Sequence, residues 1–150
     1  MTTVITETDI PKPIVNGTCA VGSAMDASTC VLIADDHSMV RHAIRQFVET
    51  YRGLKVIGEA CNGARAVELT RELRPHIVLM DAHMPVMDGT EAAKAIHQAL
   101  PDVKVIGISV DPNLEPLMRE AGVCACVQKP DLATKLYQAV CTAMASRRVY

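Results

Sequence analysis

A chain of 150 residues with 49% hydrophobic and 21% charged side chains is one domain's worth of sequence, long enough to bury roughly 70% of its unfolded surface, and is not a disordered polymer. Fifteen Lys and Arg against 17 Asp and Glu leave a net charge of −2, which supplies no basic footprint for direct nucleic-acid binding and no polybasic segment for a membrane. One Phe, three Tyr and no Trp exclude a base-stacking platform, the apolar runs are too short to span a bilayer, and MTTVITETDI is no export signal, so a cytoplasmic protein is expected.

Residues 1–29 carry Pro11, Pro13, Gly17, Gly22 and many Ser and Thr without a sustained period, and read as a flexible N-terminal extension. From Cys30 onward, apolar runs and amphipathic stretches alternate five times. That sets one folded domain at 30–146 and leaves 147–150, with Arg147-Arg148, as a tail. CVLIA at 30–34 precedes a helical pattern of Met39, Val40, Ala43, Ile44, Phe47 and Val48. KVIGEA at 55–60 is followed by Ala66, Val67, Leu69 and Leu73, then HIVLM at 76–80 by Ala92, Ala93, Ile96 and Leu100, with Pro75 and Pro101 as helix stops.

VKVIGIS at 103–109 leads into a weaker fourth helix. Asp111-Pro112 suits an N-cap and first helical position, but Pro116 lacks the amide hydrogen an interior position needs. The helix therefore either starts near 114–116 or is short and kinked before Gly122. VCACVQ at 123–128 precedes a last helix opened by Pro130 and striped with Leu132, Leu136, Ala139, Val140, Ala143 and Met144. Strands flanked by helices in this alternation predict an α/β fold, a doubly wound parallel sheet with right-handed crossovers. Six cysteines (Cys19, Cys30, Cys61, Cys124, Cys126, Cys141) are expected as small buried thiols. A disulfide framework is not expected here, and Cys124-x-Cys126 lacks the spacing and second pair of a zinc site.

Ligands of an open parallel sheet gather beyond the carboxyl ends of its strands. Those ends carry Asp35-Asp36, Asp81, Ser109 and Lys129. Two carboxylates about 4 Å apart repel by roughly 4 kcal/mol at an effective dielectric of 20, so three together call for a proton or a cation. Mg²⁺ takes oxygen ligands from one or two carboxylates plus water and phosphate. Asp81 can act as a nucleophile on phosphorus, the Lys129 ammonium can offset the charge, and Ser109 can donate to a phosphoryl oxygen only when one is present. Each residue also has a plain structural reading. Asp35 and Asp36 could cap a helix, Asp81 could be a turn residue, and Lys129 could be a solvated strand end. Their joint placement on successive strand ends is what the plain readings leave unexplained.

VLIADDHSMVR (31–41), DAHMPVMDG (81–89), VIGIS (105–109) and VQKP (127–130) together resemble the receiver domain of two-component response regulators. The IADDH opening is most similar to the subfamily that carries a helix-turn-helix output domain, which is not expected here because the chain stops soon after the fifth helix. The resemblance implies a flavodoxin-like five-stranded sheet of order 2-1-3-4-5 with five helices. It makes Asp81 the phosphoacceptor, with Mg²⁺ held by Asp36 directly, by Asp35 mainly through water, by Asp81 and by the His83 backbone carbonyl. Lys129 would pair with the phosphoryl group, Ser109 would be the switch hydroxyl, and the His83 side chain would tune dephosphorylation. A sensor histidine kinase or phosphotransfer protein would donate the phosphoryl group, docking over the rim and the first helix at Met39 and Val40. The output would be contact with an unknown downstream protein, and the face of the fourth helix, fifth strand and fifth helix is a candidate for homodimerisation.

Two features depart from the family pattern. Cys126 stands where an aromatic is usual, three residues before the Lys, and the 109–122 segment is short and contains Pro116, so an altered or weakened switch is expected. Such a protein is a phosphoacceptor with slow self-dephosphorylation rather than a turnover enzyme. Two alternatives are a receiver-like interaction module that works without phosphorylation and a haloacid-dehalogenase-type phosphatase. The latter needs a second Asp two residues past the nucleophile, where this sequence has His83. A nucleotide-binding oxidoreductase lacks its Gly-rich loop after the first strand. His37 and His42 are expected in a capping turn and on an exposed helix face, with Met84 and Met87 as packing residues of the loop.

Overall fold

A computed structural model describes residues 28–146. Strands β1 (Thr29–Ala34), β2 (Leu54–Ala60), β3 (Ile77–Asp81), β4 (Lys104–Ser109) and β5 (Ala125–Gln128) alternate with helices α1 (Ser38–Glu49), α2 (Gly63–Leu73), α3 (Gly89–Ala99), α4 (Glu115–Glu120) and α5 (Leu132–Ser146). All neighbouring strands pair in parallel, in the order β2-β1-β3-β4-β5. This is the flavodoxin-like doubly wound sheet that the resemblance implies. Parallel strands covered on both faces must be apolar at every position, which is why VLIA and IVLM contain no polar interruption.

Side chains alternate between the two faces along each strand. Leu32, Val78 and Met80 pack with Ala66, Ala93 and Ile96 against α2 and α3. Val31, Ile33 and Leu79 pack with Ile44, Val48 and Leu136 against α1 and α5. The sheet is thus the middle layer of three, and its C-terminal edge is left open as a rim.

Several expectations are corrected. Thr29, assigned to the extension, belongs to β1 and pairs with Leu54. The rest of the extension up to residue 27 and the 147–150 tail lie outside the described residues. Met39 and Ala43 are exposed rather than part of the buried stripe of α1. Val40, Ile44, Phe47 and Val48 already fill the narrow face the helix lays on the sheet, and Met39 and Ala43 sit about 100° away from it. Leu73 is also exposed. The thiols are less buried than expected, since Cys61 is exposed and Cys30, Cys124, Cys126 and Cys141 are half-buried. Cys19 lies outside the described residues.

Pro116 decides the shape of the fourth helix. Asp111 caps only a 3₁₀ turn at Pro112–Leu114, its carboxylate accepting from Asn113 N at 2.9 Å. The α-helix starts afterwards at Glu115, so Pro116 falls in the first turn, where its missing amide hydrogen has no intrahelical partner to lose. Gly122, at φ +108°, turns the chain toward β5.

Two other glycines hold the loop after β3 in place. Gly63 N donates to Met87 O at 3.0 Å and Gly89 N to Ala82 O at 2.9 Å. A Cβ on Gly63 would overlap the Met87 carbonyl, and one on Gly89 would overlap the Asp81 carbonyl. The loop 82–88 is therefore pressed against α2 and returns directly over the end of β3. Between them, Val86 has φ +69° and is exposed, in a tight turn closed by Met87 N donating to Pro85 O at 2.7 Å.

Candidate functional site

The ends of β1, β3, β4 and β5 place the predicted groups on one rim. Asp35 follows β1 directly, and its amide donates to Ala60 O at 3.1 Å, which ties it to the end of β2. Asp81 is the last residue of β3. Lys129 opens the 3₁₀ turn Lys129–Asp131 after β5. β5 lies two strands from β3, roughly 10 Å at ordinary strand spacing, and the four-carbon lysine stem reaches across β4. Its Nζ sits 3.1 Å from Asp35 Oδ2 and 3.2 Å from Asp81 Oδ1, one ammonium between two buried carboxylates.

One cation does not balance this cluster. Asp36 adds a third carboxylate, 3.1 Å from His37 Nδ1. Burial, and then the Asp35 charge, push the Asp81 carboxyl above its ordinary value, against the opposing pull of Lys129. Burial works against the charged form of Lys129, but Asp81 and Asp35 outweigh it and hold the ammonium above its usual value. Asp35 Oδ2 and Asp36 Oδ1 are buried without a hydrogen bond. The Lys129 ammonium lies 3.1 Å from Asp35 Oδ2 and the His37 ring nitrogen 3.1 Å from Asp36 Oδ1, both at ion-pair distance.

Hard oxygen donors in excess over positive charge, with unbonded buried lone pairs, fit a divalent ion such as Mg²⁺. Donor atoms of Asp35, Asp36 and His37 lie within 4.8 Å of one another. Asp81 stands outside that group, joined to Asp35 through Lys129.

The plain capping role for the acids does not hold, because the N-cap of α1 is His37 and no side chain caps it. Asp35 Oδ1 instead accepts from His37 N at 2.9 Å, a turn that fixes the carboxylate. Ser109 is buried at the rim, but its hydroxyl is already engaged locally, donating to Asp111 O at 3.0 Å and accepting from Asp111 N at 2.8 Å. His83 is exposed on the loop after Asp81, while Met84 packs inward as expected. Cys126 is half-buried against the α2–α3 side of the core, where burial raises its thiol above the ordinary value.

Arg41 and Glu59 are site neighbours that the sequence reading passed over. Glu59 accepts from Arg41 Nε at 3.0 Å and from Arg45 Nε at 2.8 Å, and these arginines hold its carboxyl below the ordinary range. The available signal was a Glu interrupting an apolar strand, one residue before its rim end.

A family model for the response regulator receiver domain matches residues 31–141. The chain belongs to the response regulator receiver family. The receiver is 36% identical over 121 residues to the response regulator GacA of Pseudomonas aeruginosa, covering 79% of this chain and 56% of that one. It is 39% identical over 113 residues to the transcriptional regulatory protein LiaR of Bacillus subtilis, covering 73% and 53%. The receiver therefore spans just over half the length of these curated relatives.

Solved structures agree with the assignment. The response regulator domain of Thermotoga maritima CheB superposes with a TM-score of 0.74 at 27% identity, over 78% of this chain and 96% of that one. A LuxR-family two-component response regulator from Aurantimonas sp. SI85-9A1 gives 0.76 at 29% identity, over 83% and 90%. Receivers of this family belong to two-component signalling and work with histidine kinases or phosphotransfer proteins. No described helix of the receiver is long and apolar enough to cross a membrane.

The buried acids have a stability consequence whose sign is fixed. With its carboxyl raised in the folded state, Asp81 favours folding when protonated, and that contribution is lost as pH rises through the elevated folded value. Asp81→Asn is therefore expected to stabilise the receiver at neutral pH by on the order of 1 kcal/mol, a few degrees in Tm, with Asp35 still pairing Lys129. The gain should disappear as pH falls below the ordinary aspartate value. Thermal unfolding across the acid range checks this, and an Asn variant no more stable than wild type at neutral pH contradicts it.

Proposed function

We propose that this receiver accepts a phosphoryl group on Asp81 from a phosphohistidine donor, a sensor histidine kinase or a phosphotransfer protein, and signals through protein contacts. The observation that carries the reading is the bridge from Lys129 to both Asp35 and Asp81 across the rim. In the transfer, an Asp81 carboxylate oxygen bonds to phosphorus as the bond from phosphorus to the donor imidazole breaks, and that electron pair returns to the ring nitrogen. Asp35, Asp36 and Asp81, with the His83 backbone carbonyl, would hold Mg²⁺. When bound, the ion supplies positive charge to offset that of the transferring group.

Lys129 exchanges its contact with Asp81 for one with the phosphoryl oxygens and keeps its contact with Asp35. Ser109 can donate to the phosphoryl group only by giving up the Asp111 carbonyl, so the step is linked to the 109–111 backbone. The exposed His83 side chain, two residues past the acceptor, controls the approach of hydrolytic water. The donor docks over the rim and α1, where Met39 is exposed. Output leaves through the α4–β5–α5 face, beside which Val110 and Leu117 are also exposed, and the same face is where two copies would dimerise. On β5, Cys126 replaces the bulk that an aromatic would provide, which weakens the coupling between Ser109 and this face.

Incubating the protein with Mg²⁺ and acetyl phosphate and measuring intact mass tests the reading. Wild type should gain one phosphoryl group, and Asp81→Asn and Asp81→Ala none. An unmodified wild type that still binds its partner would support the phosphorylation-independent module instead, and continuous turnover of phosphomonoesters would indicate a phosphatase. For the switch, backbone amide shifts with and without beryllium trifluoride should change at the 109–111 turn and little over the rest of 110–128. Large changes there contradict a weakened switch.

A further inference from the structure

Arg41 touches no group that the transfer uses, yet it is bound to the backbone of the acid pair. Its terminal guanidinium nitrogen donates to the Asp35 carbonyl at 2.8 Å and its Nε donates to Glu59 Oε1 at 3.0 Å. Its side chain is 18% exposed. Glu59 sits beside Ala60, whose carbonyl accepts the Asp35 amide. Arg41 thus fastens one turn of α1 to the ends of β1 and β2 together.

The peptide between Asp35 and Asp36 is planar, so fixing its carbonyl oxygen fixes where the Asp36 amide nitrogen and Cα lie, the base from which its side chain leaves the chain. The Asp36 carboxylate itself meets His37 Nδ1 at 3.1 Å, on a side chain that is mostly exposed. Asp36 Oδ1 is buried without a hydrogen bond, whereas Asp35 is held by the His37 amide and lies beside Lys129. We propose that Arg41 is a positioning residue for the divalent-ion site, aiming Asp36 through the Asp35 carbonyl. The inference rests on the reading of Asp35 and Asp36 as metal-holding residues.

Arg45 provides an internal control. It donates to the same Glu59, at 2.8 Å, and also pairs with Glu49. It therefore shares the task of joining α1 to β2, and no bond from it to the Asp35 backbone is present among the described residues. Charge provides a second control. Removing a guanidinium near an acidic site strengthens cation binding by Coulomb's law, whereas losing the aim of a ligand weakens it. Arg41→Lys keeps the charge but not the planar fork that reaches two acceptors at once.

The test is titration of the full chain with MgCl₂, followed by calorimetry, for wild type and for Asp36→Ala, Arg41→Gln, Arg41→Lys and Arg45→Gln, below the unfolding temperature of each. Arg41→Gln and Arg41→Lys should both weaken Mg²⁺ binding by about tenfold, a size typical of losing one charge-assisted hydrogen bond. Arg45→Gln should lower Tm to a similar extent while leaving Mg²⁺ affinity within about twofold of wild type. Wild-type or tighter binding by Arg41→Gln overturns the proposal, and so does equal weakening by Arg45→Gln, which would mark a general clamp. If wild type itself binds no Mg²⁺, or Asp36→Ala binds as well as wild type, the metal reading fails and this inference with it.

Discussion

One ammonium shared by two buried carboxylates is the constraint on which the site depends. Lys129 reaches across β4 to stand between Asp35 and Asp81, and a third carboxylate remains beside them without a hydrogen bond for its buried oxygen. An apolar environment makes such an arrangement costly unless each charge has a partner, and here the negative charge is in excess. Apolar packing on both faces of the central strands β1 and β3 offsets that cost. Stability is spent at the rim, and the excess negative charge there suits a bound cation.

The rim is also a junction between rigid parts. Gly63 and Gly89 allow the loop 82–88 to lie against α2 and over the end of β3, so the loop packs directly on the Asp81 backbone. On the other side, Arg41 and Glu59 tie the acid turn to α1 and β2. Ser109 is the exception. Its hydroxyl is bonded to its own chain two residues on.

Much of this was legible in the sequence. Apolar runs ending in Asp35, Asp81, Ser109 and Lys129 revealed both the strands and the rim, because central strands buried on two faces carry polar residues at their ends. Other features depended on three-dimensional relations that spacing does not encode. Arg41 and Glu59 are 18 residues apart and meet only because α1 packs across β2. The exposure of Met39 and Ala43 follows from the narrow footprint of α1, which hydrophobic periodicity alone does not reveal. Pro116 left the fourth helix open between two descriptions, and the structure selects the later start, with Asp111 capping a 3₁₀ turn ahead of it.

The account turns on Lys129 and Asp81 sharing one desolvated site, and carbon-detected NMR titration of the Asp81 side-chain carboxyl reads that most directly. In wild type the carboxyl should titrate above the ordinary aspartate value, and in Lys129→Met it should move higher still, because the opposing ammonium is gone while burial and Asp35 remain. An Asp81 that titrates like a solvated aspartate and does not respond to the loss of Lys129 would contradict the account.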